Sequence, residues 1–500
     1  MVEASLNWIK RNRLEFFLLL AILLVALFLR VYKLPEYMTF LGDEGRDALM
    51  IKRILVDKDF PLLGPPTSIG NIYLGPLYYY MMAIPMAIFW LNPVAAAAQV
   101  AIIGVLAIGL IYYLGREWFG KWAAIVSALL YTISPVNIIY SRSSWNPNPA
   151  PFFALLAILG IHMINKTGNF LWFILTGIAL AFAVQMHYLA LILLPIFGLI
   201  WIYQVFLKRD QKSKFIILGT LGAILIFLFL MSPLLIFDLK YDYLNYKAIT
   251  AFFSNRETTV NLNPFNTLGR VWPIYNHNLI GRYITQESVW LTPIFSILVL
   301  LPIILAGTKK VRTSDKWPYL CLGIWLGVGV LGLALYKQNV YDHYLGFLNP
   351  VPYLLIGALV SLVVKSIKGR LLLSILIGVV VLVNLQNSPL KNPPNNQLKR
   401  TQEIARYIIK ETGGKPFNFA LISKNNYDAA YQFYLDQYGF KPMKVPFDIT
   451  DQLLVVCEDP VCDPVTNPKQ EISHFGMTKI EKETQFMGVR VYKLIHVETK

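Results

Sequence analysis

The chain has 500 residues, 56% of them hydrophobic and only 15% charged, with a mean hydropathy of +0.51. That composition excludes a soluble enzyme, a fibrous protein and a disordered chain. A formal charge of +16 would point to nucleic acid in a soluble protein, but in an apolar chain the question is which loops hold the Lys and Arg. Three Cys give no cysteine-rich framework.

Runs such as LEFFLLLAILLVALFL (14–29), AIIGVLAIGLIYYL (101–114) and FIILGTLGAILIFLFL (215–230) reach, with their flanks, the length a helix needs to cross hydrocarbon. The N-terminus, MVEASLNWIKRNR, precedes the first of them without a small-residue cleavage site, so it reads as a retained span. Lys10, Arg11 and Arg13 place that end in the cytoplasm, and the first outer loop, 33–94, then lies outside. Within it, IYLGPLYYYMMAIPMAIFWL (72–91) looks like a span. Were it to cross, the basic loops KRDQKSK (208–214), TKKVRTSDK (308–316) and KSIKGR (365–370) would all face outward. Parity therefore makes it a broken interfacial helix with an aromatic belt of Tyr73, Tyr78, Tyr79, Tyr80 and Trp90.

The expected spans are 14–32, 95–114, 122–140, 150–164, 170–186, 188–206, 215–236, 289–306, 318–336, 345–364 and 371–385. The stretch 170–206 is too long for one helix and breaks at Gln185-Met186-His187-Tyr188. The fold class is thus a polytopic α-helical membrane protein of about 11 transmembrane helices, with interfacial helices in the first outer loop. Residues 1–385 form the membrane domain and 386–396, with SPLKNPPNNQ, a linker. Residues 397–500 form a small extracytoplasmic α/β domain: helices near 397–411 and 427–438, and strands at 417–422, 452–457 and 488–495. Cys457 and Cys462 lie in CEDPVC, where a disulfide is chemically permitted but a short loop around Pro460 strains its geometry, so pairing is left open.

Five polar stretches face outward in this topology: LGDEGRDA (41–48), SRSSWNPNP (141–149), QMHY (185–188), the loop 237–288 and YKQNVYDHY (336–344). An outward pocket between membrane and loops suits a lipid-borne substrate better than a transporter, whose polar groups gather at the bilayer midplane. Asp43 and Glu44 read either as a base with a neighbouring acid and Arg46, or as the acidic first turn of a solvated helix. Arg142 reads as a lipid-phosphate ligand or as a snorkelling cation. Asn146 and Asn148, each before Pro, shape a turn. His187, Tyr188, His343 and Tyr344 read as ligands of phosphate or sugar hydroxyls, or as interfacial anchors. No zinc, Walker or dinucleotide motif occurs.

One span, an outer loop opening with Asp-Glu, a Pro-Leu-Tyr-Tyr helix at the interface (Pro76 to Tyr79) and many further spans resemble glycosyltransferase family 39 of the GT-C superfamily. This is the group of the protein O-mannosyltransferases, the lipid A aminoarabinose transferase and the RgtA/B/C/D-like transferases. The resemblance covers about residues 8–385 in topology and rests on DEGRDA, GPLYYY, SPVNIIYSR and HYLGFLNPVPYLLIGAL. It implies a plasma-membrane enzyme that moves a sugar from a polyprenyl-phosphate donor to a hydroxyl of a lipid, glycan or protein acceptor at the outer face, with inversion. Asp43 would be the base. Glu44, Arg46, Tyr78, Arg142, Asn148, His187, Tyr188, Lys337, His343 and Tyr344 would bind substrate, Lys337 as the family's basic residue after the equivalent span.

The family often carries an Asp shortly after the Ser-Arg of the second outer loop, where this chain has only Asn146 and Asn148. An Asn is neither a base nor a charged metal ligand, so no cofactor is assigned and a divalent metal is left open. His343 stands where Arg is frequent, which makes a phosphate-binding role pH-dependent. Membrane lipids and the lipid-linked donor are the expected partners, and nucleic acid is not. The rival readings are a transporter or flippase of lipid-linked saccharides, and an inactive relative whose C-terminal domain recruits envelope partners.

Overall fold

The computed structural model describes residues 2–67, 72–207, 213–254, 259–261, 263–308, 316–363 and 366–497. Most of the three basic loops on which the parity expectation rests lies outside these residues. The chain opens with α1 (Val2–Arg11) and α2 (Arg13–Val31), then α3 (Leu34–Tyr37), α4 (Gly42–Lys52) and α5 (Leu77–Ile88). Next come α6 (Pro93–Phe119), α7 (Lys121–Ile133), α8 (Pro135–Tyr140), α9 (Ala150–Thr167), α10 (Leu171–Met186), α11 (Leu193–Ile202) and α12 (Ser213–Lys240). After them run α13 (Leu244–Ser254), α14 (Pro264–Pro273), α15 (Leu291–Ala306), α16 (Trp317–Leu335), α17 (Pro350–Val363) and α18 (Ile367–Gln386).

Seven helical stretches among the described residues are long and apolar enough to cross a membrane, Arg13–Val31 and Pro93–Phe119 among them. The chain is a multi-pass membrane protein. The other helices of the expected spans, α7, α10, α15 and α17, run 13, 16, 16 and 14 residues. Two expected spans are corrected. The stretch 122–140 breaks at Ser134, because Pro135 has no N–H to continue the ladder, and resumes as α8. The stretch 345–364 is helical only from Pro350, since Asp342–Leu345 forms a separate 3-10 turn. α5 has 12 residues and so spans about 18 Å, short of a hydrocarbon core of roughly 30 Å.

A charge inside the first span is paired rather than bare. Glu15 is buried and accepts hydrogen bonds from Tyr112 (2.6 Å) and the Arg116 guanidinium (2.5 Å), both on α6. This pair fixes α2 against α6, as an ionisable group within a bundle requires.

Beyond α18 a short 3-10 turn leads into the last segment: α19 (Gln397–Thr412), β1 (Asn418–Ile422), α20 (Ala429–Gln437), β2 (Gln452–Cys457), α21 (Gln470–Ser473), β3 (Thr478–Phe486) and β4 (Val489–His496). The sheet order is β1-β2-β4-β3, parallel between β1 and β2 and antiparallel elsewhere. β1 and β2 are buried along their whole length, which is why they read as continuous apolar runs. β3, absent from the sequence expectation, is an edge strand of largely exposed residues, and its Lys479, Glu481, Lys482 and Glu483 mask any alternation. Cys457 and Cys462 are joined by a disulfide.

The small domain is fastened to the first outer loop. Asn396 N–H donates to the Glu36 carbonyl (2.9 Å) and the Tyr37 hydroxyl to that of Asn392 (2.8 Å). α20 packs directly along α4. The helix that opens with Gly42-Asp43-Glu44 therefore lies between the membrane bundle and the α/β domain.

Candidate active site

α4 begins where Leu41 adopts an extended conformation and Glu44, third residue of the helix, folds back to accept the Leu41 N–H (3.0 Å), one half of a capping box, since a Leu side chain offers no acceptor for the other. Glu44 is buried by this turn and thereby spent on structure. Burial, aided by the nearby Asp43 and Asp47 carboxylates, pushes its pKa up to about 7. The same cause raises that of Asp47 to about 6, against the pull of Arg46.

A pKa of about 7 in the fold against about 4.5 unfolded means that the native state holds the extra proton. Its stabilising contribution is complete below about pH 4.5 and is lost as the pH rises through about 7. The melting temperature is therefore expected to fall between pH 5 and 8, and to fall less in Glu44→Gln, which keeps an oxygen for the cap. Parallel melting curves in detergent check this, and equal slopes would overturn it.

Asp43 keeps its carboxylate in the open, with 39% of the side chain exposed. Its Oδ1 accepts from Arg46 Nη1 (2.7 Å) and from the hydroxyl of Tyr427 (2.7 Å), a residue of the α/β domain. Arg46 is held from its other side by buried Asp47, whose Oδ1 accepts from Nε (2.9 Å) and Nη2 (2.7 Å). One oxygen of Asp43 is thus fixed by two donors. Among the described residues Oδ2 has no hydrogen-bond partner.

Gly42 and Gly45 permit this arrangement. A Cβ on Gly42 would lie 2.3 Å from the Tyr427 ring, and one on Gly45 only 2.2 Å from the backbone nitrogen of Ala430 on α20. The glycines are there because a second domain comes backbone to backbone with this helix.

A cavity of about 330 Å³ opens beside Asp43, lined by Arg46, Trp145, Asn146, His187, Tyr188, His343, Tyr344 and Tyr427, with Pro66, Thr67, Leu74 and Pro147. Four outward stretches of the sequence meet here, and six of the expected site residues line the same space. Burial lowers the pKa of His343 to about 4, against the pull of Asp342 and Asp43, and takes that of His187 well below its ordinary value. Burial thus favours the neutral form of both rings, which carries an N–H donor. A second cavity of about 300 Å³ shares the Leu74 and Tyr188 walls. Its other walls are almost wholly apolar, among them Val184, Leu189, Ile192, Met231, Leu234, Phe252 and Leu335.

Five expected residues lie elsewhere. Glu44 is the cap. Tyr78 is fully buried, with its hydroxyl on Ser144 Oγ (2.8 Å). Arg142 is buried and donates to the carbonyls of Leu29 and Tyr32 (2.6 Å each), with Tyr37 under its guanidinium. It satisfies the open end of α2. Asn148 donates to the Ser143 carbonyl (2.8 Å) and shapes its turn. Lys337 lines neither cavity; its backbone bonds to Thr259 and Arg270.

Residues 74–237 match the family model of the dolichyl-phosphate-mannose-protein mannosyltransferases. The structure is similar to ArnT of Cupriavidus metallidurans in its apo state, at a TM-score of 0.62 and 13% identity over 98% of each chain. It is similar at 0.60 and 14% to that protein bound to undecaprenyl phosphate, over 96% of this chain and 97% of that one. The chain has an ArnT-like fold, and the family-model match lies within its membrane bundle. The Archaeoglobus fulgidus oligosaccharyltransferase is similar at a TM-score of 0.55 and 16% identity over 86% of this chain, which spans only 62% of the length of that protein. No curated protein matches at the level of sequence.

The divalent metal left open by the sequence finds no fitting donor set. Among the described residues no three His, Cys, Asp or Glu side chains gather, Glu44 is turned into its cap, and Asp47 is committed to Arg46. Tyr427 and Trp145 are the site residues that sequence reasoning missed. The one signal for the first was the Gly42/Gly45 spacing, which marks a face open to close approach.

Proposed function

We propose that the protein transfers a sugar from a polyprenyl-phosphate donor to an acceptor hydroxyl at the outer face of the membrane, with inversion at the anomeric carbon. The observation that carries this reading is the pair of cavities meeting at Leu74 and Tyr188, one polar and beside Asp43, the other apolar. A lipid-linked sugar has the same division: prenyl chain for the apolar cavity, phosphate and sugar for the polar one. The ArnT structure with undecaprenyl phosphate and the mannosyltransferase segment support a lipid-phosphate donor. In this reading 1–385 is the transferase domain, its N-terminus is cytoplasmic, and 397–500 is an extracytoplasmic domain joined through 386–396.

Asp43 acts as general base through Oδ2. It takes the acceptor O–H proton as that oxygen bonds to the anomeric carbon, and the carbon–oxygen bond to the phosphate breaks with its electron pair on the leaving group. The growing negative charge meets Arg46, the neutral imidazole N–H groups of His187 and His343, and the hydroxyls of Tyr188 and Tyr344.

The test is incubation of the purified protein in lipid nanodiscs with a panel of polyprenyl-phosphate sugars. The expected result is consumption of one donor with release of polyprenyl phosphate. Binding without consumption, together with movement of the donor between leaflets, would replace this reading by that of a flippase.

A further inference from the structure

Beside Asp43 lies a third space, of about 260 Å³, between the membrane bundle and the α/β domain. Asp43, Trp145 and Tyr427 line both spaces, so the base stands in the partition between them. We propose that this interdomain pocket receives the acceptor, that the acceptor is a neutral saccharide offering a ring hydroxyl, and that Tyr427 is the positioning residue that holds Asp43 toward it. The proposal rests on the transferase reading above and names the second substrate of the same site.

The walls argue the class of ligand. Tyr140 and Trp145, a stacked pair with planes 29° apart and centroids 6.3 Å apart, both line the pocket and give it aromatic surface of the kind on which the C–H face of a pyranose packs. Thr39, Ser143 and Asn425 add hydroxyl and amide groups, which donate and accept as sugar hydroxyls do. Asp43 and Glu44 are the charged types in the lining, and no Lys, Arg or His is among its described residues. A phosphorylated or carboxylated acceptor would meet carboxyl groups and no cationic residue in the lining.

The wall from the small domain is built in advance. Asn426 Oδ1 accepts the N–H of Gly42 (2.8 Å) and of Tyr427 (2.9 Å), while its Nδ2 donates to Glu458 (3.1 and 3.3 Å). Glu458 accepts the Tyr431 hydroxyl (2.7 Å) and pairs with Arg400 (3.3 Å). This network holds Asn425 and Tyr427 at the pocket, and the Tyr427 hydroxyl on Oδ1 leaves Oδ2 to take the proton.

The experiment uses the full chain in nanodiscs with the donor found in the panel. Maltose serves as neutral acceptor, glucose 1-phosphate as anionic acceptor and a serine-containing peptide as the alternative macromolecule. Transfer to maltose is expected. Asn425→Ala, at an exposed loop position, is expected to raise the acceptor KM tenfold or more, with a far smaller change in donor KM. Tyr427→Phe keeps the ring against Gly42 and is expected to lower kcat tenfold with little change in acceptor KM. Transfer to the peptide or the sugar phosphate with none to maltose would overturn the proposal, as would an unchanged acceptor KM in Asn425→Ala. A native protein that consumes no donor, even with water as acceptor, would overturn the transferase reading and this one with it. Donor consumption with unmoved acceptor kinetics would overturn this one alone.

Discussion

Asp43→Asn is expected to lower sugar transfer by about 10²- to 10⁴-fold while leaving donor binding intact, the range that removal of a general base produces. At 1.36 kcal/mol per decade this is roughly 3 to 5 kcal/mol of lost transition-state stabilisation. Asn keeps an oxygen where Oδ1 accepts from Arg46 and Tyr427, so the local packing survives. What it lacks is a site for the acceptor proton. The apolar cavity contains no part of Asp43, so the affinity for the lipid donor is expected to stay within a few-fold. Rates for native and variant protein at saturating donor, beside a direct donor-binding isotherm, decide the point. A variant that transfers at a tenth of the native rate or better would remove Asp43 from the chemistry.

Gly45→Ala tests the docking of the two domains. In an isolated helix the change would help, since Ala is favoured over Gly by about 1 kcal/mol. Here the new methyl would sit 2.2 Å from the Ala430 nitrogen and 2.3 Å from its Cα, backbone atoms that cannot rotate away. Overpacking of this kind costs about 1 to 3 kcal/mol, and the helix gain does not cover it. The strain is relieved by moving α20 off α4, which withdraws Tyr427 from Asp43. The expected result is a fall of at least tenfold in transfer together with faster proteolytic cutting in the 386–396 segment. Native-like rates with an uncut segment would show that the contact is slack.

Much of the bundle was legible because apolar length leaves little choice inside a membrane. The break at His187 and the turn to a globular composition after Gln386 came from the same signal. Asp43, His187, Tyr188, His343 and Tyr344 line one cavity, in keeping with the expectation that their loops share one side. The roles that stayed hidden have a physical pattern. Arg142 bonds to helix carbonyls, and Glu44, which also lines the space of about 260 Å³, caps a helix: in sequence a structural charge looks the same as a functional one. Tyr427 lies 384 residues from Asp43, beyond the reach of any local periodicity.

That separation also sets an order of events. Asp43 emerges from the ribosome 384 residues before the hydroxyl that bonds to it. Throughout insertion the bundle therefore carries an acid on a helix with no partner across from it. On the proposed mechanism, competence waits for the folding of the α/β segment that carries Tyr427. Any lesion in its hydrophobic centre, such as at Leu454 or Phe433, should silence chemistry performed in a different part of the molecule without touching a membrane helix.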